Sequence, residues 1–130
     1  MSALVEPLLV LVVEDDGVIR ETLCEILQEE GFAAHGVGTL DEARASVSSL
    51  DPAVMILDLM LHELTSEPLL VELAKATKAP ATILMSAASD APRIADAYRI
   101  PLLRKPFDLD HALALVQRAR REGLRPHATR

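Results

Sequence analysis

In the run Val54-Met55-Ile56-Leu57-Asp58-Leu59-Met60-Leu61, four apolar residues precede a carboxylate. That pattern is a strand buried on both faces that delivers a single acid at its C-terminal end, where the chain turns polar. Ligands of open parallel α/β sheets bind outside the carboxyl ends of the strands, at a topological switch point. Asp58 is therefore placed for chemistry, although a strand-capping aspartate is the plainer reading of this stretch taken alone.

The flanking sequence repeats the pattern. Leu8-Leu9-Val10-Leu11-Val12-Val13 is a continuous, β-branched-rich run of the kind found in a central parallel strand, and it ends in Glu14-Asp15-Asp16. Ala81-Thr82-Ile83-Leu84-Met85 follows Pro80 and ends in Ser86-Ala87-Ala88-Ser89, while Leu102-Leu103 follows Pro101 and ends in Arg104-Lys105-Pro106-Phe107. Phe32 to Val37 reads as a weaker strand.

Helical periodicity fills the intervals. Ile19, Leu23, Ile26 and Leu27 recur at three- and four-residue spacing between Gly17 and a stop at Gly31. Thr39-Leu40-Asp41-Glu42 matches a capping box that opens a helix with Ala43, Val47 and Leu50 on one face, closed by Asp51-Pro52. After a polar turn from His62 to Ser66, a helix from about Glu67 turns Leu69, Leu70 and Leu73 inward. A short helix carries Ile94, Ala95 and Tyr98, and Asp108 caps a last one with Leu109, Ala112, Leu115, Val116 and Ala119 on its apolar side. Five strands alternating with five helices, joined by right-handed crossovers, make a doubly wound parallel sheet.

Composition agrees. The 130 residues suit one domain, with a core at about 7–122 and a flexible tail at 123–130. Half of the residues are hydrophobic but few are aromatic, so the core is aliphatic. A net charge of −7 argues against general nucleic-acid binding, which needs clustered cations. Arg118, Arg120, Arg121, Arg125 and Arg130 form the one basic cluster, and it reads as a solvated helix end and terminus. Cys24 is the sole cysteine and lies in a helical pattern, as a small buried hydrophobe. Met1 to Glu6 lacks the charged start of a signal peptide, and no apolar run approaches the ~18 residues of a membrane span. The expectation is a cytoplasmic protein without membrane contact.

The polar residues of interest thus fall at strand C-termini, which a parallel sheet gathers on one edge: Glu14, Asp15 and Asp16, then Asp58, Ser86 and Lys105. Carboxylates collected there repel one another and call for a cation. Mg²⁺ suits an all-oxygen donor set, and no Cys/His group here suits zinc. Lys105 adds a point charge for a carboxylate or phosphoryl oxygen, and Ser86 a hydroxyl donor. These are the parts of phosphoryl transfer to an aspartate, with Asp58 as nucleophile.

Val12-Val13-Glu14-Asp15-Asp16, Ile56-Leu57-Asp58-Leu59-Met60-Leu61, Met85-Ser86-Ala87 and Leu103-Arg104-Lys105-Pro106-Phe107 together resemble the receiver (REC) domain of two-component response regulators over nearly the whole chain. The resemblance implies a flavodoxin-like (βα)5 sheet of order 2-1-3-4-5. It implies that Asp58 takes a phosphoryl group from a sensor histidine kinase, a phosphotransfer protein or a small phosphodonor. Asp15 would hold Mg²⁺ directly, Glu14 through water, and Met60 through its backbone carbonyl. Ser86 would be the switch hydroxyl and Lys105 the phosphate-pairing lysine, with a cis Lys105-Pro106 bond. Beyond its own phosphorylation and dephosphorylation such a domain catalyses nothing. It signals through a downstream protein partner, without contacting nucleic acid directly, and homodimers fit the class.

The chain departs from the family pattern at four places. Leu102 stands where a switch aromatic is usual, His62 where a proline is frequent, and Ser66 where a glycine is usual. The stretch from Ser86 to Lys105 is also short. In the family, side chains two residues after the acceptor and two after the switch hydroxyl tune hydrolysis; here they are Met60 and Ala88. A haloacid-dehalogenase type of phosphatase would need an acid at Met60 and is a poor second. The stronger rival is a phosphorylation-independent interaction module on the receiver fold. Leu102 and the altered turn favour it; Glu14, Asp15, Asp58, Ser86 and Lys105 disfavour it.

Overall fold

A computed structural model describes residues 7–129. The sequence reading of Met1–Glu6 and of Arg130 lies outside the described residues. Five parallel strands, β1 (Leu9–Val13), β2 (Ala33–Val37), β3 (Val54–Asp58), β6 (Ala81–Ser86) and β7 (Leu102–Arg104), form one sheet of order β2-β1-β3-β6-β7. Counted among themselves these strands run 2-1-3-4-5, the order expected. The two remaining strands, β4 (Met60–Leu61) and β5 (Leu64–Thr65), pair as an antiparallel hairpin just after the acid-bearing strand.

Alternation along each buried strand separates two apolar layers. Leu11, Val13, Met55, Leu57 and Leu84 face α2 (Leu40–Leu50), α3 (Glu67–Lys75) and α4 (Ala91–Tyr98). Val10, Val12, Val54, Ile56, Ile83, Met85 and Leu103 face α1 (Gly17–Glu29) and α5 (Leu109–Glu122). The same period carries past the strand ends. Val10-Val12-Glu14, Val54-Ile56-Asp58 and Leu103-Lys105 each continue on the α1/α5 side, so two acids and a lysine are sent towards one another.

Local chemistry sets the helix starts. The Asp16 carboxylate accepts from the amides of Val18 and Ile19, so the third acid of the cluster caps α1. Thr39 and Asp108 cap α2 and α5 through the amides of Glu42 and His111. At the far end of the sheet, the residues after α5 lie against the body. Leu124 accepts from the Thr82 amide at 2.9 Å, and the His127 amide donates to the Tyr98 carbonyl at 2.8 Å. The Arg125 guanidinium donates to the carbonyls of Leu73, Ala76 and Thr77, where α3 runs out of intrahelical donors. Among the described residues no helix is long and apolar enough to cross a membrane.

Candidate phosphoacceptor and metal site

Register brings the site together. Val12 pairs with Ile56 and Val13 with Leu57, so Glu14 and Asp58 emerge side by side from neighbouring strands. One carboxylate oxygen from each of Glu14, Asp15 and Asp58 lies within 4.8 Å of the others. Glu14 and Asp58 are buried, whereas the Asp15 side chain is 30% exposed and forms the outer rim.

Lys105 reaches in from the end of β7. Its Nζ donates to Asp58 Oδ2 at 2.7 Å and to Glu14 Oε1 at 2.5 Å. The other oxygens are also engaged: Asp58 Oδ1 accepts from the Met60 amide, and Glu14 Oε2 from the Asp16 amide. Burial pushes the Glu14 carboxyl up to about 7; the Asp58 carboxylate beside it adds to this, and Lys105 only partly offsets it. Burial pulls on Lys105 in the opposite direction to its bonds with Asp58 and Glu14, which prevail and hold its ammonium above the ordinary value. Asp15 is held below the usual carboxylate range, chiefly by the His62 amide donating to its Oδ2 at 3.0 Å.

The loop after Asp58 is a built turn. His62 and Glu63 have φ of 49° and 65°, the two positive values that a type I′ connection requires between the short strands β4 and β5. This geometry carries the His62 amide to Asp15, while the His62 ring stays exposed with Nδ1 3.7 Å from the same oxygen. Ser66 is fully buried, with its hydroxyl donating to the Asp58 carbonyl at 2.7 Å. At the end of β6, buried Ser86 accepts from the Ala88 amide at 3.0 Å, which leaves its own proton to donate.

Of the residues expected from sequence, Glu14, Asp15, Asp58 and Lys105 lie together. Ser86 stands on the strand next to β3, one position beyond the partner of Asp58. Met60 is 42% exposed with its amide on Asp58, and Leu102 is half-buried against the layer that contains Tyr98. The Lys105-Pro106 bond is cis. Sequence reasoning missed the Ser66 hydroxyl and Arg20, whose Nη1 donates to the Glu14 carbonyl at 2.8 Å. Both act on backbone carbonyls, which leave no mark in a residue pattern.

The donor set is three carboxylates with neither sulfur nor imidazole among them, and its narrow cluster fits a small hard cation such as Mg²⁺.

Known proteins resemble this chain along most of its length. The family model described as "Response regulator receiver domain" matches residues 10–117. The DNA-binding transcriptional regulator NtrC of Salmonella typhimurium is 32% identical over 114 residues, covering 85% of this chain and 24% of the regulator. The chain therefore spans about a quarter of the length of the curated relatives it matches. Among solved structures, the signal receiver domain of an HD domain-containing protein from Pseudomonas fluorescens superposes with a TM-score of 0.80 at 21% identity, covering 94% of this chain and 93% of that one. NtrX from Brucella abortus superposes with a TM-score of 0.77 at 26% identity, covering 88% of this chain and 27% of that one.

Proposed function

Because this chain belongs to the response regulator receiver domain family, we propose that it takes a phosphoryl group onto the Asp58 carboxylate and signals through the change that follows. The observation that carries the reading is the single ammonium of Lys105 shared between Asp58 and Glu14, with Asp15 beside them.

The donor is the phosphohistidine of a sensor kinase or phosphotransfer protein, or a small phosphodonor. An Asp58 oxygen attacks phosphorus in line, the bond from phosphorus to the leaving nitrogen or oxygen breaks, and an acyl phosphate forms. The leaving group takes its proton from solvent. Lys105 moves from carboxylate to phosphoryl oxygen without changing its charge. Ser86 turns its free proton to another equatorial oxygen, a movement that the Ala88 amide permits because it uses only a hydroxyl lone pair. A Mg²⁺ ion bound by Asp15 and Asp58, the Met60 carbonyl, and Glu14 through water would supply neutralisation of the charge on those oxygens. Leu102 gives the family's swing of a switch aromatic no ring to move, so output to the downstream partner follows Ser86 and the loops around it.

Incubation with acetyl phosphate and Mg²⁺ should add one phosphoryl mass, mapped to Asp58, and the Asp58→Asn protein should gain none at that site. A parent protein that gains no mass under these conditions would overturn the reading in favour of a phosphorylation-independent interaction module.

A further inference from the structure

Arg20 closes the first turn of α1, yet its side chain does not run out to solvent. Its guanidinium lies back over the end of β2 and donates from Nη1 to the Glu14 carbonyl at 2.8 Å. Glycines make this course possible. A Cβ at Gly36 would fall 2.8 Å from Arg20 Cγ and 3.0 Å from Cδ, closer than side-chain carbons approach. At Gly38 it would lie 3.1 Å from Nη1, and at Gly17 3.5 Å from Nη2. Three of the five glycines in the chain thus line one arginine. Arg20 forms no ion pair among the described residues, so its charge is directed at a peptide carbonyl.

That carbonyl belongs to the peptide joining Glu14 to Asp15. On its upstream side the Glu14 amide is fixed by the Val37 carbonyl at 3.0 Å. With Arg20 fixing the downstream carbonyl, the plane of the 14–15 peptide is set, and with it the direction in which the Asp15 carboxylate leaves the chain. A guanidinium suits the task, since it stays charged when half-buried and its bond to a carbonyl is charge-assisted.

We infer that Arg20 is a positioning residue for the acidic cluster: by clamping the Glu14 carbonyl inside a slot that Gly36 and Gly38 leave open, it aims Asp15 at the cation and at Asp58. The inference rests on the phosphoacceptor reading above for what the aimed carboxylate then does.

The test uses the full chain with Arg20→Met, Arg20→Lys and Gly36→Ala. Mg²⁺ affinity is measured by calorimetry, protection of the His62 amide by hydrogen exchange without metal, and melting temperature without metal. Arg20→Met should weaken Mg²⁺ by about tenfold, the scale of one charge-assisted hydrogen bond. It should also deprotect the His62 amide, which reports where Asp15 points. Arg20→Lys should recover part of both, since an ammonium reaches one carbonyl but lacks the planar fork. A purely structural arginine would lower the melting temperature and leave Mg²⁺ affinity and His62 protection untouched, and that result overturns the inference. Should Arg20→Met fail to fold, Gly36→Ala carries the test. It displaces the arginine while keeping its charge, so weakened Mg²⁺ binding and a deprotected His62 support the inference and parental values overturn it. A parent protein that neither binds Mg²⁺ nor gains phosphoryl mass overturns the phosphoacceptor reading instead. His62 protection in the metal-free variants then still decides whether Arg20 aims Asp15.

Discussion

The Ser66 hydroxyl donates to the backbone carbonyl of Asp58 at 2.7 Å, and the Ser66 amide donates to the carbonyl of Leu59. A residue eight positions on from Asp58 therefore holds the main chain on which the Asp58 carboxylate is mounted. Ser66 has φ −89°, so nothing in its backbone asks for glycine. The positive φ values of this loop fall on His62 and Glu63. Ser66→Ala leaves a buried carbonyl without its side-chain donor and should cost about 1–3 kcal/mol. Urea denaturation checks this, and a variant as stable as the parent would show that the bond is replaceable.

Lys105 is the internal counter-ion of two buried acids. In Lys105→Met both lose it, and removal of one member of a buried charged set costs about 3–5 kcal/mol unless a carboxyl takes up a proton. The expected loss for the metal-free protein is about 2–4 kcal/mol, because Glu14 accepts a proton readily. Added Mg²⁺ should restore part of it, and phosphorylation by acetyl phosphate should slow. Thermal melts with and without Mg²⁺ separate the two effects.

Tyr98 is the only tyrosine in a chain without tryptophan, so its phenol can be followed alone by absorbance. Burial pushes it up to about 12, helped by its hydroxyl donating to Glu67 at 2.8 Å. A folded-state value raised above the ordinary 10 means that the neutral phenol is the form the fold favours. Its contribution is complete below pH 10 and is lost as pH rises through about 12. Glu67→Gln should bring the titration down towards the ordinary value; an unmoved curve would leave burial as the whole cause.

Glu63 adopts φ 65° at the tip of the β4–β5 hairpin, a conformation that costs a residue bearing a Cβ about 1–2 kcal/mol. The Glu63→Gly protein should recover roughly 0.5–1 kcal/mol, part of the gain being offset by the freer unfolded chain. Denaturation midpoint is the measurement, and phosphorylation rate should stay at the parental value.

The acyl phosphate should be long-lived. Met60 lies half-exposed beside Asp58 and Ala88 beside Ser86, and neither side chain can orient a water. Decay of the phosphorylated protein in Mg²⁺ should quicken in Met60→Asn and in Ala88→Glu. A parent that decays as fast as both variants points to another residue placing the water, with His62 first in line.

Much of this was legible because period-2 alternation is written in side chains. Val10-Val12-Glu14 and Val54-Ile56-Asp58 announce both the layer they join and the edge where their acids emerge. The strand order and the company of Glu14, Asp15, Asp58 and Lys105 follow from that pattern and from the receiver resemblance. The β4–β5 hairpin was not legible. His62-Glu63 carries neither Asn nor Gly, the usual signal for a type I′ turn, so the segment read only as a polar turn. Arg20 and the Ser66 hydroxyl were missed, and Arg125 was read as part of a solvated terminus, for a related reason: each finds backbone carbonyls, whose positions exist only once the chain has folded.

The segment after α5 ties α3 and α4 at one end alone. Arg125 grips the last carbonyls of α3, and the His127 amide grips the end of α4, at the sheet edge remote from the acids. A lever pinned at one end cannot slide; it can only swing. Because Ser66 and Glu67 hold the near end of α3 as well, a push that phosphorylation delivers near Ala91, the opposite end of α4, should emerge as a change in the tilt of α4, largest at the acidic rim and vanishing at the pin. Amide exchange would register that gradient as protection that alters along the first turn of α4 and stays constant at Arg99.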